Sequence, residues 1–238
     1  MRPPFTTRVM TWNIHGGVGT DGRFALARIT ETIARHDPDV AALQEVDSRR
    51  TTGQRSAFEV LREAVGEHGI EAKSITTADG DYGQMVVSRW PFGATEVHDL
   101  TVGDYEPRRA IETQVRTPMG TFRLVATHFG LDLTERRTQA QRLIEIARRH
   151  PMTTVMLGDF NEWFWPASFR GVLGRELPDR TRHATFPSWW PVLRLDRIFC
   201  WPRRTLVGSF VDRRAARASD HLPVIADIVI EPSSNQSL

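Results

Sequence analysis

The chain has 238 residues, 40% of them hydrophobic and 25% charged, enough to bury the core of one large α/β domain or two small ones. Its formal charge of +2 rests almost wholly on arginine, Lys73 being the sole lysine, and so small an excess does not mark a dedicated nucleic-acid binder. One cysteine, Cys200, excludes an intrachain disulfide and a cysteine-bound metal cluster.

Residues 1–10 hold two arginines and two prolines but no long apolar run. Neither a signal peptide nor a membrane span is expected there, and the cytoplasm is the default location. Residues 9–14 read as a first strand. Phe24, Leu26, Ala27, Ile29, Ile33 and Ala34 recur at roughly helical spacing over 24–35, and Asp37-Pro38 ends that helix. A strand over 40–46 follows, then an amphipathic helix over 56–67 stopped at His68-Gly69. This alternation argues for a layered α/β domain.

The middle changes character. Residues 70–75, 84–88, 94–98, 110–116 and 121–128 read as consecutive strands, parted by turn signals at Asp79-Gly80, Trp90-Pro91 and Pro118-Met119-Gly120. Connections that short imply antiparallel pairing. A long helix over 134–149 is closed by Pro151, and a strand over 153–157 is expected to be buried on both faces. A short helix over 168–173 and strands over 195–201, 207–211 and 224–230 complete the pattern, leaving a polar tail at 231–238. No internal repeat interrupts it, so one domain over 1–238 is expected, with its core over 8–230.

Six short strings put a carboxylate, an amide or an imidazole at the end of a strand-like run. They are Trp12-Asn13-Ile14-His15, Leu43-Gln44-Glu45-Val46, Thr127-His128-Phe129, Gly158-Asp159-Phe160-Asn161, Leu195-Asp196-Arg197-Ile198 and Ser219-Asp220-His221-Leu222-Pro223. Singly, each has a bland reading: a capping glutamate, an Asx turn, a salt bridge from Asp196 to Arg194 or Arg197. Jointly they suit hydrolysis of a phosphate ester, which needs an activated water, neutralised phosphoryl oxygens and help for the leaving oxygen. His221 is the candidate general base, since a near-neutral imidazole accepts a proton from water when a partner fixes its tautomer. A hard divalent ion held by one or two carboxylates would meet the second need.

In order and spacing these strings resemble the endonuclease/exonuclease/phosphatase superfamily, the metal-dependent phosphoesterases that include pancreatic-type deoxyribonucleases, abasic-site endonucleases, neutral sphingomyelinases and inositol polyphosphate 5-phosphatases. The resemblance runs from Asn13 to His221, nearly the whole chain. It implies a four-layered α/β sandwich, two packed mixed β-sheets flanked by helices. It also implies a Mg²⁺ or Mn²⁺ ion held by Glu45 with Asn13 and Asp220 close by, and an Asp196–His221 pair that activates water. Asp159 would orient that water, and Asn161 would donate to a phosphate oxygen. Thr127-His128 is similar to the deoxyribonuclease, sphingomyelinase and inositol phosphatase branches, and there His128 would contact the phosphate and assist the leaving group. Of Arg108 and Arg109, which fall where relatives place a phosphate-contacting arginine, Arg109 is favoured.

The expected activity is therefore hydrolysis of a phosphodiester by in-line attack of water. A nuclease, a phosphomonoesterase acting on a sugar or lipid headgroup, and a non-catalytic binding member are the alternatives. Nucleic acid and a peripherally bound lipid both stay open as partners, and oligomeric state is left open. The arginines at 213, 214 and 217 precede Asp220 and could help hold an anion. Trp163, Phe164, Trp165, Trp189 and Trp190 flank the expected mouth, where tryptophan more commonly packs under loops than stacks on a ligand.

Overall fold

The computed structural model describes residues 6–50, 55–149, 152–163 and 169–230. Pro151, Ser168, Phe164, Trp165 and the polar tail, all invoked above, lie outside these residues. Along the chain run β1 (Thr7–Asn13), α1 (Leu26–His36), β2 (Val40–Asp47), α2 (Ala57–Val65), β3 (His68–Thr77), β4 (Gly80–Ser88), β5 (Phe92–Asp99) and β6 (Arg109–Thr117). There follow β7 (Gly120–His128), α3 (Leu133–Ala147), β8 (Thr154–Asp159), α4 (Phe169–Glu176), β9 (Asp179–Arg180), β10 (Asp196–Trp201), β11 (Leu206–Val211) and β12 (Val224–Ile228).

Local chemistry fixes the ends. α1 stops where Asp37 turns left-handed (φ 49°) and donates its N–H to Ile33 O, just before Pro38. α2 starts in a capping box between Ser56 and Glu59, and α3 starts at Asp132, whose carboxylate accepts from the N–H groups of Thr134 and Glu135. The β3–β4 and β6–β7 hairpins turn at Gly80 (φ 145°) and Gly120 (φ 139°), a conformation that costs glycine least. The two-residue β9 is absent from the sequence reading, because Asp179-Arg180 has no strand periodicity.

Two six-stranded sheets result, in the orders β11-β12-β1-β2-β4-β3 and β5-β6-β7-β8-β10-β9. Both are mixed: β1–β2 and β7–β8 are parallel and every other pair is antiparallel. Between the sheets lies one apolar layer that includes Val9, Val40, Val86, Leu124, Leu157, Ile198 and Val224. The opposite face of the first sheet packs Met10, Trp12 and Leu43 against Ile29, Ile33 and Leu61 of α1 and α2. That of the second packs Val125, Met156 and Phe199 against Leu143 of α3 and Leu173 of α4. The expected four-layered α/β sandwich is the architecture. Cys200 sits in the inter-sheet layer, and its thiol pKa is pushed far up by burial, so it is a core side chain. No helix among the described residues is long and apolar enough to cross a membrane.

Candidate active site

Strand pairing brings the candidate residues together. Asp159, the last residue of β8, lies opposite His128 at the end of β7 and opposite Asp196 at the start of β10. Three neighbouring strands thus set an imidazole and two carboxylates in one row. The row continues the inward register of the inter-sheet core, since Ala126, Leu157 and Ile198 lie two residues away on the same face. Asn13 repeats the pattern in the first sheet, two positions beyond Thr11 and four beyond the core residue Val9. The site is where the apolar layer between the sheets gives way to polar side chains. Polar groups buried there must satisfy one another.

They largely do. Asn13 Nδ2 donates to Glu45 Oε1 at 2.8 Å and to Asp159 Oδ2 at 3.0 Å, while its Oδ1 accepts from His15 N. Asn13 therefore offers donors to the two carboxylates and holds them together, rather than presenting its own oxygen to the site. Glu45 reaches this position from a bulge in β2, where the register against β4 slips between Leu43 and Val46. Its backbone is left-handed (φ 56°), an unfavourable state for a glutamate that surrounding pairing must enforce.

His221 Nδ1 meets Asp196 Oδ2 at 2.8 Å, both groups buried, and its Nε2 lies 3.8 Å from Asp159 Oδ2. Three further contacts fix it: Trp12 Nε1 donates to His221 O, Ser219 Oγ accepts from His221 N, and the Phe186 ring packs 4.9 Å from the imidazole. Burial alone would lower its pKa. The charges of Asp196, Asp159 and Asp220 outweigh burial and hold it up at about 10. Asp159 is itself raised to about 6, first by burial and then by Asp196.

His128 has the opposite environment. Its Nδ1 is 3.1 Å from Arg108 Nη1, and a guanidinium can only donate. The ring is therefore neutral with its proton on Nε2, which lies 3.8 Å from both Glu45 and Asp159. Burial and then the Arg108 charge hold its pKa well below the usual value. Arg108 is buried, its Nη1 also pairs with Glu106 at 3.1 Å, and its Nε has no hydrogen-bond partner among the described residues. Arg109, favoured from sequence, is not brought to the cluster. It pairs at 2.8 Å with Asp99, the residue directly across from it on β5.

A scan against protein families matches the Endonuclease/Exonuclease/phosphatase family over residues 10–221, nearly the whole chain and every residue of this cluster. The chain belongs to that family. It is 27% identical over 244 residues to the uncharacterized protein YbhP of Escherichia coli, covering 94% of this chain and 96% of that one. It superposes on the endonuclease/exonuclease/phosphatase of Beutenbergia cavernae with a TM-score of 0.74 and 23% identity, over 97% of this chain and 72% of that one. The mannosyl-6-phosphatase Bt3783 of Bacteroides thetaiotaomicron gives 0.69 and 17%, over 94% and 99%.

Members of this family hydrolyse phosphoester bonds and generally use divalent metals, and the donor set here fits such an ion. Glu45, Asp159 and Asp220 have histidines as their only ion-pair neighbours among the described residues, with no lysine or arginine to balance them. Asp159, Asp196 and His221 could also group around a metal, but the oxygen and nitrogen shared by Asp196 and His221 are already spent on each other. Glu45 and Asp220 have no such hydrogen bond to a histidine among the described residues. Asn161 turns left-handed (φ 49°), donates its N–H to Asp159 Oδ1 in an Asx turn, and donates Nδ2 to Phe129 O at 2.8 Å. The Asx turn and a place beside Asp159 thus coexist. His15 lies exposed in a 3-10 turn, as a loop residue should.

One contributor escaped the sequence reading, and a second was passed over there in favour of its neighbour. Ser219 Oγ donates to Asn13 O at 2.7 Å, tying the two ends of the chain's site together; its place directly before Asp220-His221 was the available signal. Arg108 lies one residue before β6, and nothing local in the sequence separates it from Arg109.

Proposed function

We propose that the protein is a divalent-cation-dependent phosphodiesterase in which Asp196 and His221 activate the attacking water. The observation that supports this most is the buried 2.8 Å contact from His221 Nδ1 to Asp196, which leaves Nε2 directed at Asp159. With Nδ1–H donating to Asp196, only Nε2 can take a proton, the geometry a general base requires. Nε2 and Asp159 Oδ2 are too far apart to bond directly, yet one water beside that line reaches both. Asp159 then orients the water and His221 removes its proton.

On the other side, His128 Nε2–H donates to a phosphoryl or leaving oxygen, and the second Nδ2 hydrogen of Asn161 is free for another. Arg108 Nη1, 3.1 Å from both His128 Nδ1 and Glu106 Oε1, holds His128 in that donor state. When bound at Glu45 with Asp220, a Mg²⁺ or Mn²⁺ ion supplies charge neutralisation and offsets the carboxylate field that raises His221.

The test is Mg²⁺-dependent product release from duplex and single-stranded DNA, a phospholipid, and small phosphate mono- and diesters. His221→Ala should lose at least ~10²-fold with the fold intact, and Glu45→Ala should lose most of its activity. Near-wild-type turnover in both variants would sink the mechanism. Preference for monoesters would overturn the diester assignment.

A further inference from the structure

The segment 185–193 packs Phe186 on His221 and otherwise takes no part in the chemistry above, yet it stands against the site. Thr185 N donates to Leu193 O at 2.7 Å and Leu193 N to Phe186 O at 2.9 Å, which closes a hairpin. Its tip is Pro187-Ser188-Trp189-Trp190-Pro191-Val192, turned by a bond from Trp190 N to Pro187 O. Trp189 is 72% exposed, Trp190 67% and Val192 59%. Two adjacent tryptophans left in water oppose the main driving force of folding, and a contiguous apolar projection of this kind marks an interaction surface.

The hairpin is anchored at its base. Phe186 packs on the His221 ring, Ser188 N donates to Asp220 O at 2.7 Å, and Ser188 Oγ to Ala216 O at 3.0 Å. Ala216 belongs to the 3-10 turn Arg213–Arg217, whose Arg213, Arg214 and Arg217 are exposed, as is Arg194 on the hairpin stem. From 181 to 219 the chain has eight arginines against two acidic residues. Both of those, Asp196 and Asp212, are buried; Asp196 is bound to His221, and Asp212 to His36, Arg35 and Arg214.

We propose that this hairpin is a docking wedge for an anionic phospholipid surface. Tryptophan belongs at the boundary between headgroups and acyl chains, and neighbouring arginines complement anionic headgroups. The tip is convex and includes aliphatic Val192, which offers no face to a base; a single-stranded nucleic acid is gripped instead by aromatics along a basic groove. Because Phe186 joins the wedge to His221, insertion brings the phosphate layer of the lipid to the candidate active site. That last step rests on the phosphodiesterase reading, whereas docking does not.

The experiment uses the full chain with vesicles of phosphatidylcholine alone and of phosphatidylcholine mixed with phosphatidylglycerol. Cosedimentation and tryptophan emission, with bromine-labelled acyl chains as quenchers, are the readouts. The wild type should sediment with the mixed vesicles, less so as salt rises, with blue-shifted and quenched emission. Trp189→Ser/Trp190→Ser should weaken vesicle binding by ~10-fold or more, given the apolar area two tryptophans withdraw from water. The same variant should keep wild-type turnover of a soluble diester such as bis(p-nitrophenyl) phosphate. Arg213→Gln/Arg217→Gln should remove the preference for phosphatidylglycerol. Failure of the wild type to sediment, equal binding by the tryptophan variant, or quenching by an oligonucleotide but not by vesicles would each overturn the wedge. Vesicle binding through the tryptophans without soluble-diester turnover would uphold the wedge and defeat the enzyme reading.

Discussion

Replacing Asp196 by asparagine changes one atom and tests the water-activating pair most sharply. Asp196 Oδ2 accepts from His221 Nδ1 at 2.8 Å, and Oδ1 is buried without a partner. An asparagine can keep its oxygen on Nδ1 only by burying an amide NH₂ where Oδ1 was, at ~1–3 kcal/mol for the unmet donor. If it flips, the NH₂ faces Nδ1, the imidazole proton moves to Nε2, and no basic lone pair is left for water. Either outcome predicts a kcat loss of ~10²–10⁴-fold, ~2.7–5.5 kcal/mol, short of or equal to that of His221→Ala. The pH dependence separates this from general damage. His221 stands at about 10 because Asp196 and its neighbours outweigh burial, so removing the Asp196 charge lets burial pull it down. A base works deprotonated, so the acid limb of the kcat/KM profile should move to lower pH in Asp196→Asn. The assay is diester hydrolysis with Mg²⁺ across pH, with thermal melts to verify folding. A limb that stays in place or moves to higher pH would refute the pairing argument.

Other outcomes follow from the same geometry. Phe160→Ala should lower stability by ~3–5 kcal/mol, seen in chemical denaturation, because Phe160 is fully buried edge-on against Phe129 and Phe199 at 5.5 and 5.4 Å. The same cavity lies between Asp159 and Asn161, so activity should fall too. Burial alone would raise the pKa of Asp212, but hydrogen bonds from His36, Arg214 N and Arg35 hold it below the ordinary carboxylate range. A depressed carboxylate stabilises the fold above its ordinary pKa and loses that contribution as pH falls towards its folded value. Asp212→Asn should therefore be less stable than wild type at neutral pH, and the gap should close below pH ~4. Mg²⁺ should raise the wild-type melting temperature by the equivalent of ~2.7 kcal/mol at about a hundred times its Kd, and Glu45→Ala should abolish the rise.

The strand-helix alternation, the hairpin series and all six site strings were legible because each rests on local chemistry: apolar period, turn residues, a polar residue ending an apolar run. Bounds differed by a few residues, as at α2, which ends at Val65 because Gly66 leads into β3. What was not legible depends on pairing across the sheets. Nothing near Arg108-Arg109 tells which one meets His128; Arg109 is taken up by Asp99 across from it on β5, while Arg108, one residue before β6, reaches the ring. The orientation of the Asn13 amide is likewise set by two carboxylates far along the chain. The exposure of Trp189 and Trp190 runs against the usual fate of tryptophan under loops, and only the hairpin geometry reveals it.

The two histidines show how one cluster yields two chemistries from the same side chain. His221 has a carboxylate on Nδ1, which fixes the proton there and makes Nε2 the basic atom. His128 has a guanidinium on Nδ1, which fixes the proton on Nε2 and makes that atom a donor. Both Nε2 atoms stand 3.8 Å from Asp159 Oδ2, so an acceptor and a donor of protons face one carboxylate from opposite electrostatic settings. Hydrolysis needs that asymmetry, one group to take a proton from water and another to hold the oxygen that leaves. Exchanging the partners would erase it: Arg108→Glu would let Nδ1 of His128 donate, raise its proton affinity and turn it into a second base. That variant should lose activity even though it adds a carboxylate–imidazole pair like the one His221 has. Retained activity in Arg108→Glu would mean that His128 does not act as a donor.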